Sequence, residues 1–131
     1  MKIAMVSLSL SLFMLANPVF SAERCEPFNK PVNAENTPAY QRLIQKSLTE
    51  KIALKSIDIT QVQGDKDWLV IYAATEVADP GAFFFKNNQF VDVWGGQPDL
   101  SEKEQVIKWT RGLHVPDSLA QCFFDTVAID E

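Results

Sequence analysis

Few side chains in this sequence could carry out acid–base or nucleophilic chemistry. His114 is the single histidine, and no serine stands in the Gly-x-Ser-x-Gly context of a hydrolase nucleophile. Gly95 and Gly96 lack the Gly-Lys-Ser/Thr of a phosphate-binding loop and lead toward an acidic helix start, which would repel phosphate. We therefore expect His114 to be solvated or to cap a helix, and the two glycines to end a strand.

Two carboxylates, Asp58 and Asp92, are the remaining candidates for catalysis because they could share one face of a sheet. A glycosidase needs such a pair, but an acidic sheet offers pairs of this kind without any catalytic role. Glu102 and Glu104 are most simply charges that match the dipole at a helix start. We predict that the chain is not an enzyme and needs no cofactor, and a carboxylate-based hydrolase is the least favoured alternative.

The two cysteines, Cys25 and Cys122, stand 97 positions apart. If the chain is exported, it meets an oxidising compartment, where such a pair forms a disulfide in preference to two thiols. The bond would close a loop on the order of 100 residues, worth about 4.7 kcal/mol in the chain-entropy model. One histidine beside two bridged cysteines cannot make a typical zinc site, so we expect no metal.

Residues 1–22 have the pattern of a secretory signal peptide. Lys2 supplies the positive start, residues 3–15 are mostly apolar, and small residues allow cleavage after Ser21 or Ala22. The apolar stretch is shorter than the roughly 20 residues of a bilayer-spanning helix, which disfavours the alternative of an uncleaved anchor. We expect residues 23–131 to form one periplasmic or secreted domain that is not embedded in a membrane.

The charge of the chain restricts its partners. The net charge is −5 at pH 7, and it becomes −6 when Lys2 is removed with the signal peptide. An acidic domain repels nucleic acids and anionic lipid surfaces. We expect no nucleic-acid partner, and we expect a protein partner to be basic.

The order of elements predicts an α+β domain with an N-terminal helix, a four-stranded antiparallel meander and two C-terminal helices. Apolar residues recur at helical spacing over 38–51. Thr37 suits the N-cap of this helix, and Pro38 suits its first position. Alternating apolar residues then predict the strands. A helix on a curved sheet resembles cystatin-like and small NTF2-like folds in architecture only, and such an analogy carries no function.

The C-terminal part has clear helix boundaries. Ser101 and Glu104 have the spacing of a capping box, and Gly112 suits the end of the helix that they begin. A second short helix, begun near Pro116, carries Cys122. The run at 126–129 is compatible with a short final edge strand.

The length of the loop in the first hairpin determines which side chains share a face of the sheet. A three-residue loop at 64–66 pairs Ile59 with Ile71 and Val62 with Trp68. This register collects the isoleucines on one face, whereas a two-residue loop would shift the pairing by one and mix the faces.

The stretch GAFFFKNNQFVDVWGG, residues 81–96, concentrates aromatic side chains on the second hairpin. Asn87 and Asn88 suit a two-residue turn, which pairs Phe85 with Phe90 and Phe83 with Asp92. We expect Phe84, Val91 and Val93 to join the isoleucines in the main core. The opposite face then carries Tyr72 with Phe83, Phe85, Phe90, Asp92 and Trp94. Aromatic residues on strands belong to the core more often than to a binding platform, although an open aromatic patch usually marks a binding surface. The candidate binding residues are Trp68, Tyr72, Phe83, Phe85, Phe90, Asp92 and Trp94.

These observations favour a small exported protein that binds another protein, such as an inhibitor or immunity-type protein acting on a basic partner. The surface around Asp92, Trp94 and the two glycines is the preferred contact site. The alternative is a module for a small apolar ligand, held in a cavity lined by Tyr72, Phe83, Phe85 and Trp94.

Overall fold

A computed structural model describes residues 24–130, so the predicted signal peptide lies outside the described residues. The described chain has an α+β fold in which a five-stranded antiparallel meander is covered by three helices. The strands are β1 (Asn29–Lys30), β2 (Asp58–Asp65), β3 (Trp68–Ala74), β4 (Gly81–Lys86) and β5 (Gln89–Gly95). The helices are α1 (Thr37–Ser47), α2 (Lys103–Gly112) and α3 (Asp117–Val127).

The sheet has one more strand than the sequence predicts. Order β1-β2-β3-β4-β5 places the two-residue β1 against β2, with Asn29 opposite Gln63 and Lys30 opposite Val62. A strand of two polar residues has no alternating apolar pattern that could reveal it. The predicted disulfide between Cys25 and Cys122 is present and ties the segment before β1 to α3.

The predicted register of the first hairpin is wrong. The turn is Lys66-Asp67, and Ile59 pairs with Ala73 while Val62 pairs with Ile71. Thr60 is an extra residue, a β-bulge, between the two parts of the ladder. Because Ile59 and Val62 are three positions apart, only such an insertion lets both side chains face the same core.

The second hairpin follows the prediction at its turn and departs from it further along. Asn87 and Asn88 both have positive φ, and Phe85 pairs with Phe90 as predicted. Beyond that pair, Val91 is an extra residue, so Asp92 pairs with Phe84 and not with Phe83. The predicted faces are therefore wrong after the bulge.

Helices cover both faces of the sheet and create two cores. Ile44 of α1 packs against one face, whose buried residues are Ile57, Ile59, Val62, Ile71, Ala73, Phe83 and Phe85. Helices α2 and α3 pack on the opposite face against Trp68, Val70, Tyr72, Ala82 and Phe84. The predicted grouping of Phe84 with the isoleucines, and of Phe83 and Phe85 with Tyr72, is wrong by one residue between β3 and β4.

Helix α1 ends earlier than predicted, at Ser47 and not near residue 51. Leu48 has an extended backbone, and the Gln45 side-chain amide donates a hydrogen bond to the Ile52 carbonyl at 2.8 Å. That bond fixes the turn that carries the chain from α1 toward β2.

The C-terminal helices have different caps from those predicted. The capping box is formed by Asp99 and Glu102, two residues before the predicted pair. At the end of α2, His114 has φ +68°, and Val115 N–H donates to the Thr110 carbonyl at 3.1 Å. This is the left-handed position after a helix that glycine usually occupies, so His114 has the capping role that was one of its two predicted roles.

The predicted final strand at 126–129 is not formed. Helix α3 continues to Val127, and Ile129 makes only a single bridge, to Asp99. Among residues 24–130, no helix is long and apolar enough to span a membrane.

Candidate functional site

The predicted binding residues are divided between the two faces of the sheet. Trp68 and Tyr72 are buried under α2 and α3, whereas Phe83 and Phe85 are buried under α1. Because the sheet separates these pairs, they cannot line one cavity. These four side chains contribute to the cores of the domain.

The other three candidates lie on β5. Phe90 contacts the rings of Phe83 and Phe85 on the α1 side, with ring centroids 6.4 and 5.8 Å apart, and remains 42% exposed. Trp94 is half-buried on the opposite side and packs edge-on against Trp109, with ring centroids 5.1 Å apart. Asp92 is also half-buried. The surface part of the predicted aromatic cluster is therefore strand β5.

β5 is the last strand of the sheet, and no described strand pairs with its outer side. Six large apolar side chains are exposed in the described part of the chain, and three of them belong to β5: Phe90 at 42%, Val91 at 37% and Val93 at 40%. An edge strand with exposed apolar side chains is a template for pairing with another chain. This strand is the candidate functional site.

The backbone of β5 directs some of its polar groups toward that outer side. Gly96 N–H donates to the Pro80 carbonyl at 3.4 Å, so Gly96 and Pro80 form a hydrogen-bonded pair at the end of the β4–β5 ladder. Because hydrogen-bonded and non-hydrogen-bonded pairs alternate in an antiparallel ladder, Val93 and Gly95 belong to non-hydrogen-bonded pairs with β4. Their N–H and C=O groups consequently point toward the outer edge.

The Asp92 side chain forms a hydrogen bond with one of these outward groups. Its Oδ1 accepts a hydrogen bond from the N–H of Val93 at 2.7 Å. The bulge at Val91 lies directly before it. A bulge and a carboxylate are two devices that limit indiscriminate strand pairing at a sheet edge.

A cleft of about 760 Å³ continues from the end of β5. Small residues from three neighbouring strands leave this space beside the end of α3. The lining includes Ala74, Gly81, Gly95, Gly96, Thr126 and Val127, with Asp79 at the same cleft. The cleft and the outer side of β5 share Gly95, so they form one continuous surface.

A buried polar network lies behind the cleft, and it was not predicted. Tyr72 donates its hydroxyl hydrogen to Gln63 Oε1 at 2.6 Å, and Gln63 Nε2 donates to Thr126 Oγ1 at 3.0 Å and to Cys122 Sγ at 3.2 Å. Burial raises the pKa of the Tyr72 phenol far above its usual value, and the nearby Thr126 hydroxyl opposes this shift only in part. A lone glutamine on a strand gives no sequence signal of burial, because most glutamines are exposed.

The structure does not bring the predicted carboxylate pair together. Asp58 is on β2 and Asp92 is on β5, three strand spacings or about 14 Å apart across the sheet. The carboxyl groups of a glycosidase are about 5–9.5 Å apart. Within residues 24–130, no group of three or more histidine, cysteine, aspartate or glutamate side chains is placed to hold a metal ion.

The fold and the site together define a small α+β protein whose antiparallel meander is covered on both faces and carries an open, partly apolar edge. No family model, no curated protein and no solved structure matches this chain.

Proposed function

We propose that this chain is an exported protein that acts by binding another protein through the outer side of β5. The observation that carries the proposal is the concentration of exposed Phe90, Val91 and Val93 on a strand with no described neighbour on that side. Apolar side chains at the centre of an interface supply affinity, and unpaired backbone groups supply direction.

The partner is basic under this proposal. The whole sequence has a net charge of −5, and the only charged residue on β5 is Asp92. Complementary charge speeds encounter and suppresses wrong partners. An inhibitor or immunity-type protein that covers the surface of a basic enzyme or toxin fits this combination.

Export is part of the same proposal. The pattern of residues 1–22 and the disulfide between Cys25 and Cys122 support it together. The mass of the protein recovered from cells should correspond to cleavage after Ser21 or Ala22. Recovery of the uncleaved chain in the cytoplasm would contradict export.

The cleft supports a second candidate function, the binding of a small apolar ligand. Its volume of about 760 Å³ is within the range of ligand sites. Native mass spectrometry of the purified protein should show an added mass if this function holds. Ala74→Leu should remove that mass, because Ala74 lines the cleft and shares its face of β3 with Tyr72.

Protein binding is tested by affinity capture from a periplasmic extract. The double variant Phe90→Ser/Val93→Thr should lose the captured partner, and Asp92→Ala and Trp94→Ala should weaken the capture. Leu100→Ser is the matched control, because Leu100 is 50% exposed and belongs to the 3-10 turn before α2 and not to β5. Equal capture by the wild type and the β5 variants would contradict this contact surface.

A further inference from the structure

We infer that a partner adds as a strand to the outer side of β5, and that Asp92 prevents pairing between two copies of this chain while favouring a basic residue on the added strand. The inference rests on the proposed function, because it specifies how β5 would bind.

Strand addition is favoured by the outward groups of Val93 and Gly95. Main-chain hydrogen bonds supply the affinity when an extended segment joins a sheet edge, and alternate side chains supply the specificity. At Val93 the N–H already has a partner, the Asp92 carboxylate at 2.7 Å. An added strand therefore has to displace this carboxylate, which becomes available to a cation on the incoming chain.

A second copy of the chain is a poor occupant for reasons of symmetry. β5 runs from residue 89 to residue 95, so Asp92 is its central residue. Antiparallel pairing of two β5 strands over their full length places Asp92 directly opposite Asp92 of the other copy. Like charges directly opposite each other destabilise a strand pair, and both chains are acidic overall.

A strand with lysine or arginine opposite Asp92 has the reverse effect. Residues directly opposite each other across a ladder share a face, so the cation would meet the carboxylate freed from Val93. β5 itself contains no lysine or arginine, which leaves Asp92 as the only charge that the strand offers.

The neighbouring positions define the rest of the pattern. Val93 pairs with Phe83, and Phe90 contacts that same ring, so both side chains lie on the α1 side of the sheet. The residue of the added strand opposite Val93 should therefore be apolar, next to the basic residue opposite Asp92. The recognised segment is an extended one in which a basic residue adjoins an apolar residue on the other face.

The first test measures self-association by sedimentation equilibrium and needs no captured partner. Asp92→Thr removes the charge, and threonine pairs are favourable across strands, so dimerisation should strengthen by about 10-fold relative to the wild type. Asp58→Thr is the control, because it removes the same charge from another strand and should leave the association unchanged. A monomeric Asp92→Thr protein would overturn the role of Asp92 in preventing self-pairing, as would equal dimerisation of the control.

The second test uses defined peptides and nuclear magnetic resonance. The probe is a capped nine-residue peptide of alternating threonine and valine with lysine at its centre and valine on each side of the lysine. The comparison peptide has glutamate in place of the lysine. The lysine peptide should bind about 5-fold more tightly and shift the amide resonances of Val93 and Gly95. The Asp92→Thr protein should bind the two peptides equally.

Two results of the peptide titration would overturn the inference. One is equal affinity of the wild type for both peptides, and the other is a set of shifts confined to the cleft around Thr126. In the capture experiment, Val93→Pro should abolish binding because it removes the outward N–H. A partner retained by Val93→Pro but lost by Phe90→Ser would leave the proposed function standing and remove strand addition.

Discussion

The two edges of the sheet differ in how they are protected. On the β2 side, β1 pairs with Val62 and Gln63, and the Cys25–Cys122 disulfide joins the preceding segment to α3. On the β5 side, protection consists of a bulge and the Asp92 carboxylate. The first arrangement is built from covalent and buried contacts, and the second can be reversed. An edge that has to bind a partner needs protection of the second kind.

Breaking the disulfide should have the largest effect on this difference. The double variant Cys25→Ala/Cys122→Ala should lose about 2–5 kcal/mol of unfolding free energy, because it reopens a loop that spans nearly all the described chain. Urea denaturation measures the loss. Amide hydrogen exchange should increase at Val62 before it increases at Phe84, because β1 is then held by few contacts. Unchanged exchange at Val62 would show that β1 does not depend on the bond.

Two strand glycines should differ in their tolerance of a methyl group. A Cβ on Gly64 would lie 3.0 Å from Lys30 Cε, Leu69 Cδ2 and the Trp68 carbonyl oxygen, whereas a Cβ on Gly95 would meet nothing within 4 Å. Gly64→Ala should cost about 1–3 kcal/mol because the backbone of β3 has to move. Gly95→Ala should be neutral or slightly stabilising. Equal denaturation midpoints for the two variants would contradict the difference in packing between the two edges.

The buried polar network of Tyr72, Gln63 and Thr126 should make the free energy of unfolding depend on pH in the alkaline range. Tyr72→Phe should cost about 1–2 kcal/mol, because Gln63 Oε1 loses its donor in a buried site. Burial raises the pKa of Tyr72 above the unfolded value of about 10. The folded chain therefore keeps a proton that the unfolded chain releases, and stability decreases as pH rises above about 10, by up to about 1.4 kcal/mol per unit.

The measurement is a series of denaturation curves between pH 8 and pH 11, values chosen to bracket the unfolded tyrosine pKa of about 10. The Tyr72→Phe protein should lose less stability over this range than the wild type. Tyr40→Phe is the control for losing a tyrosine hydroxyl, because Tyr40 is a half-buried residue of α1. A Tyr72→Phe curve parallel to that of the wild type would contradict the raised pKa.

The sequence predicts the features of this fold that depend on local chemistry. The turn at Asn87 and Asn88 follows from the tolerance of asparagine for positive φ, and the bond between Cys25 and Cys122 follows from their number and expected compartment. Both bulges were missed. The signal of the first bulge is an apolar pair at odd spacing, Ile59 with Val62, which can share a face only if a residue is inserted.

Two exposed side chains of the candidate site, Val91 and Val93, were not among the residues predicted for it. The prediction located a contact surface at Asp92 and Trp94, but the bulge at Val91 places these residues on the face opposite Phe90. The exposed Val93 was assigned to the core. The exposure of Val93 depends on where α1 ends over the sheet. The residues of a strand do not indicate how far a helix from another part of the chain covers it.

Val93→Thr should have the smallest effect on stability and a large effect on binding. The side chains have the same shape and Val93 is 40% exposed, so the denaturation midpoint should change by no more than about 0.5 kcal/mol. The same exchange at the buried Val62 should cost about 1–3 kcal/mol, because it places a hydroxyl in the core under α1. Capture of the partner should weaken for Val93→Thr and stay unchanged for Val62→Thr at temperatures where both are folded. If both variants kept full capture, the exposed apolar side chain at position 93 would have no part in binding.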